Sequence, residues 1–317
     1  MFMTTLILGV VIMLSSKTWF SVWLGLEINL MSFLPIILFS STSGSEGGLK
    51  YFLIQAMGSL IILQASLSWF ILPCPYLFLA IPLILKLGAA PLHFWLPDVT
   101  KTLPWRINMV LLTLQKTGPL YLLATITTNH KSLLLLVSIF SALVGSLGGL
   151  NEMDLRKLMA FSSISHMGWM FAGMALTQAH WILYFLTYSV TSLTLMFVME
   201  KNSMSSLSQL TTKDKNSILM MLLFLSLGGF PPLLGFAPKW AILMSTSSLS
   251  LPLTILLIAT SVLTLYYYIR AGLLTLTLSS MNFKTNLLVN NYMQMLLIFI
   301  NMLGGGLYML LWSSLVL

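Results

Sequence analysis

Apolar residues run along this chain in blocks of about twenty, and polar residues collect in short stretches between them. No block alternates apolar with polar at a period of two, so half-buried strands and a closed barrel with a polar lumen are excluded. About 20 apolar residues cross a bilayer as a helix. Eleven such segments are predicted, at roughly 2–15, 17–39, 49–72, 76–96, 104–127, 131–149, 155–176, 181–200, 217–246, 252–276 and 293–316. The first is short. The fold class is all-α, a polytopic membrane protein.

Two of the segments are interrupted. KLGAAPLHFWLPD at 86–98 and LSLGGFPPLLGFAPKW at 225–240 both place glycines just before prolines in mid-span. Proline removes a backbone donor and clashes with the preceding turn, and glycine loosens the helix further. In lipid the freed carbonyls must be met by protein or water, so broken helices face a cavity. Breaks are expected near 88–91 and 228–235. The interrupted segments are fourth and ninth, which is position four in each of two five-helix blocks, 1–127 and 131–276. Five is odd, so the second block enters from the opposite side. This is the pattern of inverted repeats around an ion site; two unrelated proline kinks are the competing reading. Residues 277–317 form a connecting loop and a C-terminal transmembrane helix.

Loop charge adds orientation. With the loops numbered alternately, one side receives Lys50, Lys101, Arg106, Arg156, Lys157, Lys201, Lys213, Lys215, Arg270 and Lys284, and the other only Lys17 and Lys131. Basic residues favour the inner face, which puts the N-terminus inside and the C-terminus outside. Composition agrees with the spans: 58% of the 317 residues are hydrophobic and 7% charged, with mean hydropathy +0.96. The net charge of +8 does not point to nucleic acid, because the basic residues sit at segment ends. One cysteine, Cys74, excludes a disulfide framework and a thiolate cluster. The N-terminus has neither the basic region of a signal peptide nor an Arg-rich transit pattern.

Four ionisable residues lie in mid-span: Glu27, Lys86, Lys116 and Lys239. Each costs roughly 2.5–3.5 kcal/mol at the bilayer centre on insertion scales. Glu27 is the eleventh residue of its segment, about 16 Å deep at 1.5 Å per residue, too deep to snorkel. Lys86 ends the first half of the first broken segment, and Lys239 stands near the start of the second half of the other. Lysine suits proton work because burial tunes it, whereas arginine stays charged. Glu27 and Lys86 are expected to lie within direct or single-water reach. His93, in the first broken segment, and His166, in FSSISHMGWM, are candidate proton relays or satisfied core histidines. Ser162, Ser163 and Ser165 either line a hydrated path or bond back to their own helix. His166 and His180 lie 14 residues apart, but His180 is placed in a loop and no second pair exists for two haems. No phosphate loop, dinucleotide fingerprint or iron–sulfur ligand set is present, so no cofactor is expected in this chain.

WLGLEIN at 23–29, EGGLKYFLIQA at 46–56, KLGAAPLHFWLPD at 86–98 and LQKTGP at 114–119 resemble the antiporter-like membrane subunits of NADH–ubiquinone oxidoreductase, respiratory complex I. GGLNEMDLRKLMAFSSISHMGWM at 148–170 and LSLGGFPPLLGFAPKW at 225–240 belong to the same resemblance, and LKLGAAPLHFW narrows it to the subunit 2 family. The resemblance covers about 17–276. It implies an organelle-encoded, proton-translocating subunit of the mitochondrial inner membrane, N-terminus in the matrix, partnered by other membrane-arm subunits and by lipids such as cardiolipin. FMN, iron–sulfur clusters and ubiquinone are then held by other subunits. The family's buried glutamate and lysines fall on Glu27, Lys86, Lys116 and Lys239. The charge of Glu27 would modulate Lys86, with water and His166 linking Lys86 to Lys116 and then to Lys239. Glu152 and Asp154 depart from many relatives, in a loop away from these positions. A freestanding Na⁺/H⁺ antiporter would need carboxylates, and one buried glutamate among three lysines argues against it. A scaffold with a vestigial proton path is the structural rival.

Overall fold

The computed structural model describes residues 1–40, 44–68, 75–127, 130–211, 217–277, 299, 301 and 306. Cys74, Lys213, Asp214, Lys215 and Lys284 lie outside the described residues, and of the predicted eleventh span only 299, 301 and 306 are described, each helical. The described residues form thirteen α-helices and, apart from an isolated bridge between Asp154 and Ser206, no strand pairing. Two compact units divide within the eighth helix, Met1–Val137 and Ser138–Leu317.

The first unit holds α1 (Phe2–Ser15), α2 (Trp19–Leu38), α3 (Gly44–Leu67), α4 (Pro75–Leu87), α5 (Trp95–Thr102), α6 (Trp105–Leu112) and α7 (Leu114–Ile126). α2 packs on α1 and α3, α3 on α4 and α5, and α7 on α1 and α4. α8 (Lys131–Gly148) leads into the second unit, with α9 (Leu155–Leu176), α10 (Gln178–Lys201), α11 (Ser217–Gly228), α12 (Phe236–Ser247) and α13 (Leu251–Thr277). There α9 is central, touching α10, α12 and α13. No residue of α9 is exposed. Ser138 of α8 donates to the Gly168 carbonyl of α9 at 2.7 Å, an approach open only where the α9 backbone carries no side chain. Six described helices are long and apolar enough to cross a membrane, Trp105–Ile126 counting as one through a kink; α9 is not among them.

Both glycine–proline interruptions break their helix, and both close in the same way. After α4, Ala89 N–H bonds the Ile84 carbonyl and Gly88 N–H bonds that of Leu85, with Gly88 at φ +67°. After α11, Phe230 N–H bonds the Leu225 carbonyl and Gly229 N–H bonds that of Ser226, with Gly229 at φ +84°. This double bond pattern is the Schellman closure, which needs a left-handed residue after the helix and so selects glycine. Side chains add to these bonds: Trp95 Nε1 also donates to Leu85 O at 2.9 Å, and Gln55 Nε2 meets Lys86 O at 3.2 Å. At the second break, Leu234 N–H bonds the Asn301 carbonyl at 3.0 Å. Helix ends at this depth are tolerable only with such partners.

α3 starts at Gly44 rather than the expected 49, and three other departures from the sequence expectation bear on the polar residues. The chain after the first break is irregular to Phe94 and then forms the separate helix α5, which runs past the predicted end at 96. The predicted span at 104–127 is interrupted at Thr113, where Lys116 N–H bonds the Thr113 carbonyl in a tightened turn. Pro119 explains the distortion, since its ring crowds the Gln115 carbonyl and disturbs the turn before it. His180 is not in a loop. α10 begins at Gln178, with Thr177 as N-cap, and the Thr177 hydroxyl bonds His180 Nδ1. His180 Nε2 bonds Ser245 Oγ of α12 at 3.0 Å, so the polar pair Thr177–His180 starts the helix earlier than hydropathy places it.

Candidate proton-handling sites in the two units

In the first unit, Lys86 and Lys116 are 6% and 3% exposed and line one cavity. Tyr51, Gln55, Trp95 and Gln115 complete its polar lining. The space open to water centres is about 10 Å³, the room that one water needs. The last turn of α4 aims Lys86 across at α3, where its Nζ donates to the Gln55 carbonyl at 2.9 Å. Gln55 returns its side-chain amide to the Lys86 carbonyl, so the two residues hold each other by two bonds. Lys116 enters from α7, just past the tightened turn at Thr113.

Next to Lys116, Gln115 accepts from the Tyr51 hydroxyl at 3.3 Å and donates to Asn29 Oδ1 at 3.0 Å. Asn29 stands two residues after Glu27 on α2. Glu27 is half-buried and close enough for its charge to act on Lys86. Of the direct or single-water reach expected for Glu27 and Lys86, the direct ion pair is not formed. α3 packs against both α2 and α4, and its Gln55 carbonyl takes the ammonium instead.

His93 is buried in the irregular chain after the first break, its Nδ1 3.2 Å from the Pro91 carbonyl and its ring 4.3 Å from that of Phe94. It does not line the cavity between the lysines.

In the second unit, Lys239 is 6% exposed in the first turn of α12. Its Nζ donates at 2.9 Å to the Gly228 carbonyl, the last of α11, and so closes the break with a charge-assisted bond. The ammonium lies 5.9 Å from the Trp169 ring centroid, within cation–π range. Trp169 stacks on Tyr184 with 7° between planes, and the Tyr184 hydroxyl bonds His166 Nδ1 at 2.8 Å. Lys239 and His166 are therefore two aromatic residues apart within the same unit. Ser162, Ser163 and Ser165 donate back to Met159, Ala160 and Ser162 of their own helix.

The sequence reading did not single out Gln55, Gln115, Asn29, Tyr51 or Tyr184. The amides carried a signal, since a Gln or Asn in mid-span has the same desolvation problem as a charge, on a smaller scale. Tyr184 carried none, because tyrosine in a membrane chain reads first as an interface anchor.

Comparison with known proteins gives this geometry its setting. The family described as NADH:quinone oxidoreductase/Mrp antiporter, transmembrane, matches residues 16–72 and 64–264. NADH-ubiquinone oxidoreductase chain 2 of Anopheles gambiae is 37% identical over 310 residues, covering 92% of this chain and 89% of that one. The chain 2 protein of Locusta migratoria is 36% identical over 284 residues, covering 85% and 83%. This chain belongs to the NADH-ubiquinone oxidoreductase chain 2 family. A chain of respiratory complex I from Thermus thermophilus has the same fold, with TM-score 0.78 at 24% identity, over 86% of this chain and 69% of that one. A chain of the Mrp complex from Dietzia sp. superposes with TM-score 0.77 at 19% identity, over 84% and 59%. Among the described residues of this chain 2 relative, no three His, Cys, Asp or Glu side chains group as a metal site.

Proposed function

We propose that this chain is the antiporter-like, proton-translocating subunit of the membrane arm of mitochondrial NADH:ubiquinone oxidoreductase. Other subunits carry NADH oxidation, FMN, the iron–sulfur clusters and ubiquinone reduction. The chain sits in the inner membrane, N-terminus in the matrix and C-terminus in the intermembrane space. It meets further membrane-arm subunits, antiporter-like ones among them, and lipids such as cardiolipin. The five-helix blocks at 1–127 and 131–276 are, in this reading, inverted repeats, each with a proton-holding stage. Glu27, Lys86 and Lys116 serve the first, and His166 and Lys239 the second. His93, away from the cavity, has the weaker claim to a relay role.

The observation that carries the proposal is the polar cavity shared by Lys86 and Lys116. Two ammonium groups around one small cavity repel each other strongly where screening is poor. Protonation of one therefore opposes protonation of the other, and a proton moves when the balance of charge around them changes. Glu27 sets part of that balance from α2 without touching Lys86. The chemistry is proton transfer between nitrogen lone pairs and water, with no redox step in this chain.

The test is Lys116→Met in the assembled complex. Methionine keeps length and apolar volume, so packing changes little. Proton movement into reconstituted vesicles should fall, with the coupled quinone turnover, while NADH oxidation by an artificial acceptor stays at wild type. A wild-type proton-to-electron ratio would make Lys116 structural and favour the scaffold reading.

A further inference from the structure

The second unit buries four tyrosines that the proton-holding stage at Lys239 and His166 does not by itself require. Tyr184 and Tyr188 come from α10, Tyr267 and Tyr268 from α13, and none is more than 3% exposed. A tyrosine is normally buried with its hydroxyl bonded, because an unmet hydroxyl costs its desolvation. The Tyr267 and Tyr268 hydroxyls are buried beside Ser165 and Ser162 respectively, yet make no well-aligned hydrogen bond among the described residues. The serines spend their own protons on carbonyls of α9 and keep lone pairs for the phenols. Tyr188 lies beside Ser163, with its ring 5.0 Å from His166. Tyr184 bonds His166 directly.

The cluster also has a direction. Tyr267 packs on Gly149, where a Cβ would come within 2.9 Å of its ring. One turn along α13, Arg270 Nη2 donates to the Glu152 carbonyl at 3.1 Å, and the Glu152 carboxylate lies 3.6 Å from Lys157. Glu152 is part-exposed in the loop between α8 and α9. Ser162 and Ser165 stand seven and ten residues into α9, about 10 and 15 Å from its start, so the hydroxyls beside them lie between that charged loop and His166.

We propose that Tyr267, Tyr268, Tyr188 and Tyr184 form a hydroxyl relay that passes protons between the Glu152–Arg270 loop and His166. This rests on the proton-translocating reading of the chain. In each step a phenol oxygen accepts a proton on a lone pair and releases its own to the next oxygen, so every phenol ends neutral. A small ring rotation or one bridging water aligns the bonds. At the end Tyr184 gives its proton to His166 Nδ1, which becomes imidazolium, and regains one from the neighbouring hydroxyl. No electron moves and no bond other than O–H and N–H changes. The relay gives the second unit its own connection to the membrane face that bears Glu152, Lys157 and Arg270.

The test compares the double variant Tyr267→Phe/Tyr268→Phe with Lys239→Met, each in the assembled complex reconstituted into vesicles. Coupled turnover and proton-to-electron ratio are read in H₂O and D₂O, with artificial-acceptor reduction as the check on the redox arm. The relay predicts at least about a twofold loss of coupled turnover in the double variant and a larger solvent isotope effect than in wild type, since the remaining route is slower at proton transfer. Wild-type values in the double variant, with Lys239→Met impaired, overturn the relay and leave the proton-translocating reading standing. A loss with an unchanged isotope effect also overturns it, because the hydroxyls would then act in packing alone. Wild-type pumping by Lys239→Met removes the reading on which the relay rests. If the double variant does not assemble, Tyr267→Phe and Tyr268→Phe are read singly by the same criteria.

Discussion

Gly229→Ala should disable Lys239 while leaving the lysine itself in the sequence. Gly229 holds φ +84°, where an L-residue costs about 1–2 kcal/mol. A Cβ built there comes 3.0 Å from Lys239 Cδ and 3.2 Å from its Nζ. The contact is with the flexible end of a side chain, so the lysine gives way before the backbone does. In moving it releases the Gly228 carbonyl, to which it donates at 2.9 Å. A hydrogen bond from a charged group contributes about 1.5–3 kcal/mol. If the clash outweighs that bond by about 1.4 kcal/mol, the population of seated lysine falls tenfold. Coupled proton pumping in reconstituted complex should therefore fall by roughly five- to tenfold, with artificial-acceptor reduction unchanged. The decisive arm is the double variant Gly229→Ala/Lys239→Met. If the glycine acts through the lysine, the double variant is no worse than Lys239→Met alone. Full pumping by Gly229→Ala, or a loss that adds to that of Lys239→Met, would refute the reasoning.

Other substitutions separate packing from proton handling. Gly168→Ala puts a methyl 2.8 Å from Ala142 N and 2.9 Å from the Ser138 carbonyl, so assembled complex on native gels should drop sharply, with the residual complex pumping normally. Gln55→Leu removes the donor to the Lys86 carbonyl and leaves that carbonyl unmet, at about 1–3 kcal/mol, so coupled turnover should fall and thermal inactivation of the complex should come earlier. Glu27→Gln should slow coupled turnover only a few-fold, less than Lys86→Met, because its charge acts on Lys86 without contact; equal losses would mean a direct pair. Lys50→Ala breaks the ion pair with Asp98, but both side chains are more than half exposed, so the thermal inactivation temperature should hardly change and any small difference should vanish at high salt.

The breaks after Leu87 and Gly228 were legible in the sequence because their cause is covalent: proline lacks a donor and glycine alone takes positive φ cheaply. The burial of Lys86, Lys116 and Lys239 was legible because no neighbouring residue within reach along the chain lies at a membrane surface. What each lysine bonds to was not legible. Lys86 meets a backbone carbonyl on α3, 31 residues away, and every residue has such a carbonyl, so sequence offers no mark of the one that is used. The same limit explains Glu27: two opposite charges in mid-span invite pairing, and only the packing of α3 against both helices shows why they stay apart. The kink at Thr113 had its signal in Pro119 but lay upstream of it, where the strain is absorbed rather than where it arises. His180 was misplaced because hydropathy starts a helix at its first apolar residue, whereas a cap starts it earlier.

The full enclosure of α9 bears on how this chain reaches the membrane. Its serines, His166 and two basic residues near its start make it less apolar than its neighbours, and it presents no exposed residue to lipid. Taken singly it partitions poorly into hydrocarbon, where each unmet polar group costs several kcal/mol. Its place is created by α10, α12 and α13, two of them made only after it has left the ribosome. The most polar helix of the unit thus gains its full surroundings only once the later helices α12 and α13 are made.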